Sequence, residues 1–311
     1  MTRRTLALLT LALPALLTIA PAHAAPLNDL FDRLPTGART AIAIDVAALR
    51  ASKHFNQVIA VLESVDEVRS VRLGPDSGLS PATDLDAIAM VVMLDGRGVA
   101  AVRGKKLDAK KARTYLTKRG KGKLDERKVD GGVILQSAGG PSVAFLGDQM
   151  ALVGPSDLVG KALGVKPGKR EPVLRAGSLA YLHKAAPKDA PFWAIGATQV
   201  ADRERLKKAG RTIVAGVANY SVRGDLGSDL TVTTTATCTS EKACTTLGES
   251  IEGKLNELKS AMTLKLLGVA AYLDKVSLAQ SADKLTLKVD LDDSSLGVLL
   301  AVGPRLYKAF R

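Results

Sequence analysis

The sequence predicts an α+β fold: a mainly antiparallel sheet with helices packed on one face, built as two structurally related halves. Three observations lead there. Apolar runs of strand length come in pairs joined by turn residues, and single helical segments follow those pairs instead of alternating with each strand. The same order of elements occurs twice with a period of about 145 residues, which is domain-sized and too long for a solenoid. Apolar residues make up 46% and charged residues 24%, the proportions of a globular chain, and with aromatics at only 4% the core must be filled by Ala, Val and Leu.

The N-terminus sets the compartment. "MTRR" is a cationic start, "TLALLTLALPALLTIA" an apolar run, and "PAHAAP" offers small residues at Ala22 and Ala24 in the A-x-A arrangement. Residues 1–24 therefore read as a signal peptide cleaved after about Ala24. Pro14 breaks the run, which falls short of the ~20 residues of a spanning helix. The expected product is periplasmic or secreted. It divides into a first α+β half over 25–164, a linker and short helix over 165–185, and a second α+β half over 186–311.

In the first half, "AIAIDV" (41–46) is a strand and "AALRASKHFNQVIAVLESV" (47–65) has apolar residues at helical spacing. "LGPDSGLSPATDLD" is turn chemistry. "AIAMVVML" and "GVAAVRG" form a hairpin through "DGRG", a helix covers 107–119, and "GGVILQSA", "SVAFLG" and "MALVG" are further strands. "PSDLVGKAL" (155–163) opens a helix with Pro155, Ser156 and Asp157 at its start. After the linker "VKPGKREPVLRAGSLAYLHKA" the order recurs. "APFWAIGATQVADRERL" echoes the first strand and helix, and "GVANYSVRGDLGSDLTVTTTATC" the first hairpin. "TSEKACTTLGESIEGKLNEL" echoes the helix at 107–119, "KVSLAQSADKLTLKVDLDD" echoes "GVILQSAGGPSVAFLGD", and "SSLGVLLAVGPRLYKAF" is a closing helix.

The segments "LPTGARTAIAIDV", "GLSPATDLDAI" and "AFLGDQMALVGPSDLVGKAL" give the chain a resemblance to exported bacterial proteins of unknown function that share this duplicated strand and helix plan. The resemblance implies a fold and an envelope location and brings no catalytic residue with it.

Motifs with chemistry are few. "GRGVAA" (96–101) has the spacing of a dinucleotide loop but is followed by a strand where the fingerprint needs a helix, so it reads as a hairpin. "GPSVA" (140–144) and "GPDSG" (74–78) lack the strand-to-helix elbow of a serine nucleophile, and a Pro/Gly turn accounts for Ser77. His54 and His183, the two histidines beyond the signal, lie in no sequence context that suggests a catalytic dyad. Two histidines and two cysteines, widely scattered, are a poor stock of zinc ligands. Asp84 with Asp86, and Asp290 with Asp292, would share a strand face, as solvated strand ends do. No enzyme, metal or cofactor is expected. Cys238 and Cys244 lie too far apart for a C-x-x-C redox pair and read as a local disulfide, stabilising by ~2–2.5 kcal/mol for so short a loop.

The strongest signal is charge. Residues 103–128 hold twelve Lys/Arg against three Asp/Glu, a net of +9, out of +13 for the whole chain and +11 without Arg3 and Arg4. Leu107, Ala112, Tyr115 and Leu116 give the helix an apolar side, and Gly120 and Gly122 end it. A solvated face explains the periodicity but not the scarcity of acids, which pairing at i,i+4 would favour. The candidate contacts are Lys110, Lys111, Arg113, Lys118, Arg119, Lys121 and Lys123. Export argues against nucleic acid, and no aromatic row is present to stack bases. Anionic lipid, an anionic polymer or an acidic protein are the expected partners of a binding or scaffold protein. The alternative is a carrier of an apolar ligand held between sheet and helices, suggested by "TLKLLGVAAYL" (263–273) and "LGVLLAVG" (296–303).

Overall fold

The computed structural model describes residues 27–57, 59, 75–120, 122–129, 132–138, 140–164, 174, 177–184, 186–262 and 270–295. The expected signal peptide with Ala22 and Ala24, Lys121, and most of the expected closing helix lie outside the described residues.

The first stretch of chain carries α1 (Asn28–Phe31), β1 (Ala38–Asp45), α2 (Val46–Ala51), a 3-10 turn (Pro75–Ser77), β2 (Ala87–Met93) and β3 (Gly98–Arg103). Next come α3 (Ala109–Arg119), β4 (Leu124–Val129), β5 (Gly132–Ser137), β6 (Ser142–Phe145), β7 (Met150–Gly154) and α4 (Ser156–Leu163). Then follow α5 (Gly177–Lys184), β8 (Phe192–Ala197), α6 (Val200–Lys208), α7 (Thr212–Ala215), β9 (Val217–Leu226) and β10 (Leu230–Cys238). The long helix α8 (Glu241–Ser260), a 3-10 turn (Ala270–Lys275), β11 (Val276–Ser281) and β12 (Lys284–Leu291) complete it.

Turn chemistry is as the sequence reads. Gly96 takes a positive φ of 83° in the β2–β3 hairpin, where Asp95 accepts from the Arg97 N–H. Asp45 ends β1 and caps α2 by accepting from the Ala48 N–H at 2.8 Å. The helix thus begins at Val46, where strand was expected to continue.

All twelve strands join one antiparallel sheet in the order β11-β12-β10-β9-β8-β1-β2-β3-β7-β6-β5-β4. The seam is β1 against β8, with Ala41 opposite Ile195 and Ala43 opposite Trp193. Counted outward from that seam, β1-β2-β3-β7-β6 and β8-β9-β10-β12-β11 follow the same path, and β5-β4 extends one side only. By sheet position β6–β7 is therefore the counterpart of β11–β12. The sequence echo had aligned β5–β6 instead, because "GVILQSA" and "VSLAQSA" are alike.

Helices lie on both faces, not on one. The strands at the seam are apolar on both sides, so each side needs cover. Ala41, Ala43, Ala89, Val91 and Ala101 point to one face, where α1, α4 and α5 pack and Phe31 stacks on Trp193 with ring centroids 5.5 Å apart. Ala100, Val102, Leu135, Val143 and Val153 point to the other, under α3 through Leu107 and Leu116. On that second face α2 contributes Leu49 to a cluster with Leu230 and Leu291, and α8 packs on Leu278 and Leu285.

The disulfide Cys238–Cys244 forms, Cα atoms 5.4 Å apart, tying the end of β10 to the first turn of α8. The edge strand β4 was not expected: Asp125, Glu126, Arg127 and Lys128 show no apolar alternation. Such charge blunts a sheet edge against pairing with another chain. Among the described residues no helix is long and apolar enough to cross a membrane.

Candidate functional site

The basic stretch folds into α3, the turn after it and β4. Asp108 starts the helix, its Oδ1 accepting from the backbone N–H groups of Lys110 at 2.9 Å and Lys111 at 3.0 Å. Those bonds, Lys111's foremost, hold the Asp108 carboxyl below the usual carboxylate range. At the other end Gly120 donates to the Leu116 carbonyl, and Gly122 has a φ of +85°. Lys118 and Arg119 stand in the last turn, where the helix dipole favours cations.

Burial fixes which side faces out. Ala112 and Leu116 are buried against the sheet, and Lys110, Lys111, Arg113, Lys118, Arg119 and Lys123 are exposed. Strand alternation then sorts the rest. Arg103, on β3, turns to the opposite face and pairs with Asp29 at 2.6 Å. Arg127 points that way too, its Nη2 3.5 Å from the Ser156 carbonyl. Glu126 and Lys128 project on the α3 side, where Glu126 pairs with Arg113. The patch is smaller than the +9 of its sequence because two arginines belong to another surface.

What remains is little neutralised. Among the described residues no carboxylate forms a salt bridge with Lys110, Lys111, Lys118, Lys123 or Lys128, and the charge of Asp108 bears on Lys110 and Lys111 from the start of the helix. Several cations elsewhere are matched: Arg97 with Asp95 and Asp157, Arg223 with Asp189 and Asp225, Lys288 with Asp290. The Arg223 guanidinium holds the Asp189 carboxyl below its usual range.

A cavity of about 620 Å³ opens at one end of the sheet, lined by Leu27, Asp45, Arg50, Asp86, Ala87 and Arg103 among others. Ala87 lies between Asp45 and Arg103 in one row across β1, β2 and β3. Arg50 there donates to the Pro81 carbonyl and stands 3.5 Å from Asp86. Its rim carries both signs of charge. Most of "TLKLLGVAAYL" and all of "LGVLLAVG", the segments that suggested an apolar ligand, lie outside the described residues.

The other sequence candidates are structural in their contacts. Ser77 is buried and its Oγ accepts from the Leu79 N–H at 3.1 Å. Buried His54 has its Nδ1 3.2 Å from an Asp293 oxygen, and the His183 ring tilts against Trp193 with centroids 6.4 Å apart. Asp84 and Asp86 precede β2 and are not on a strand, because Asp84 accepts from the Ser80 N–H in the turn before it. Asp292 falls just past β12, where it accepts from Ser294 and Ser295. Among the described residues no group of three His, Cys, Asp or Glu side chains could hold a metal.

No protein-family model matches the chain, and no curated protein sequence matches it. Four chains of solved structures do. One of them, described as "Structure of crystal form I of TP0453", has a TM-score of 0.47 and 7% identity, covering 89% of this chain and 97% of that one.

Proposed function

We propose that the mature chain is an exported, non-enzymatic docking protein of the cell envelope, and that the outer face of α3 binds the anionic head groups of a membrane surface. One observation carries the reading: Lys110, Lys111, Lys118 and Lys123 are exposed, form no salt bridge among the described residues, and stand together on one short helix and the turn that follows it. Each such cation near an anionic bilayer is worth ~1 kcal/mol. The signal sequence at 1–24 and the disulfide Cys238–Cys244 support an oxidising compartment outside the cytoplasm. The helix buries its few apolar residues against the sheet, so contact through it is electrostatic and peripheral.

The test is binding of the mature protein to vesicles of phosphatidylcholine and phosphatidylglycerol across a salt series, beside the variant Lys110→Gln/Lys111→Gln/Arg113→Gln. Affinity should fall steeply with salt, and the variant's log–log slope should be shallower by ~2–3, by the counterion logic of polyanion binding. Equal, weak binding by both proteins at low salt would sink the reading. Preference for a soluble polyanion over vesicles would move the partner from lipid to polymer and overturn the membrane assignment.

A further inference from the structure

The α6–α7 hairpin is thinly packed, with no buried residue on α6 and only Ala215 on α7, and the basic stretch of the sequence does not include it. It leaves the end of β8 and returns at the start of β9. None of the nine residues of α6 is buried. A surface helix normally buries one apolar stripe against its own protein. Here three apolar side chains face solvent instead: Val200 is 65% exposed, Ile213 37% and Val214 52%.

The charge around them is one-sided. Residues 200–215 hold Arg203, Arg205, Lys207, Lys208 and Arg211 against Asp202 and Glu204. Arg203 donates to the Thr198 carbonyl and Lys207 pairs with Glu204, whereas no carboxylate among the described residues pairs with Arg205, Lys208 or Arg211. On the helical projection of α6, Val200 shares the outer face with Lys208 and with the Glu204–Lys207 pair, while the half-buried Leu206 lies away from it. Exposed aliphatics beside the unpaired Arg205, Lys208 and Arg211 match a bilayer interface, with apolar groups below the phosphates and ammonium and guanidinium groups among them.

We infer that the α6–α7 hairpin is a second membrane contact, which seats Ile213 and Val214 in the interface of an anionic bilayer while α3 supplies a purely ionic hold elsewhere. The inference rests on the proposal that the partner is an anionic membrane, and it adds a part of the binding that salt does not screen. Because Ile213 and Val214 belong to none of the buried clusters, replacing them leaves the folded core intact.

The experiment uses the mature protein with an Ile213→Cys change carrying an environment-sensitive nitrobenzoxadiazole label. The native cysteines are both bonded, so the label has one site. Vesicles of phosphatidylcholine and phosphatidylglycerol are titrated in at low salt, monitored by emission and by co-sedimentation. Emission should shift to the blue as the protein binds. Separately, unlabelled Ile213→Ser/Val214→Ser should bind about tenfold more weakly at high salt with an unchanged salt slope, the reverse of the α3 variant's behaviour. Aqueous emission from fully vesicle-bound protein would overturn the hairpin contact and leave the α3 reading standing. So would wild-type affinity of the double serine variant at high salt. Absence of wild-type binding at any salt removes both proposals together.

Discussion

The hydroxyls of Thr40 and Tyr220 lie 2.8 Å apart although a whole strand, β8, runs between them. Gly196 makes the reach possible. It stands opposite Thr40 on one side and Tyr220 on the other, and a Cβ there would come 2.4 Å from the tyrosine ring. Phe192 covers Gly224 in the same way, at 1.7 Å. Gly196→Ala and Gly224→Ala should each destabilise by ~1–3 kcal/mol through overpacking, and Tyr220→Phe by ~1 kcal/mol through one lost hydrogen bond. Urea midpoints at unchanged m-value are the readout; midpoints equal to wild type would mean the rings are not held at the seam.

Glu126 is the acid that pairs with Arg113 inside the basic face. Glu126→Gln should therefore strengthen vesicle binding at low salt by about fivefold, the worth of one more available cation. Weaker binding would show instead that Glu126 orients Arg113 for contact.

Acid should loosen the second half of the sheet. Asp292 is held well below the usual carboxylate range by Lys275 first and then by Ser295 and Ser294, Asp290 by Lys288 and Thr231, and Asp189 by Arg223. Carboxylates more acidic in the folded chain add stability that is complete above the unfolded value near ~4 and lost as pH falls through their lower folded values. Urea midpoints should thus drop between about pH 5 and pH 2, and Asp292→Asn should drop less steeply. An acid limb identical in wild type and variant would exclude Asp292 as a contributor.

Replacing the disulfide by Cys238→Ser/Cys244→Ser should cost ~2–2.5 kcal/mol and leave vesicle binding unchanged, because the bond joins β10 to α8, many strands from α3. Loss of binding in a variant that still melts cooperatively would tie the bridge to the interface.

Legibility in the sequence followed period. The β2–β3 hairpin announced itself by "DGRG", α3 by its apolar stripe and Gly120, and α8 by its place after the second hairpin. The edge strand β4 was hidden because an edge needs charge and no alternation. The union of all strands in one sheet was hidden too, since "AIAID" and "FWAIG" carry no mark of each other. Helices on both faces follow from β1, where Ala41 and Ala43 alternate with Ile42 and Ile44: a strand apolar on both sides reads only as hydrophobic. Within the basic stretch the charge could be counted but the opposite face taken by Arg103 and Arg127 could not be read, because the face of a strand residue depends on register. The α6–α7 hairpin was missed because "VADRERLKK" has ordinary helical composition, and only its lack of packing sets it apart.

The β1–β8 seam also governs what the molecule does when cut. Both strands are nearly all apolar or small at the join, and neither carries the lysines and glutamates that guard β4. A nick in the segment before β8 that let the two parts separate would bare two long, adhesive borders at once. Because the strands run antiparallel, each border is also complementary to a copy of itself turned through half a revolution. Proteolytic fragments of this protein are therefore expected to recover as edge-to-edge pairs or as insoluble ribbons, whereas in the intact chain the two borders satisfy each other within one molecule.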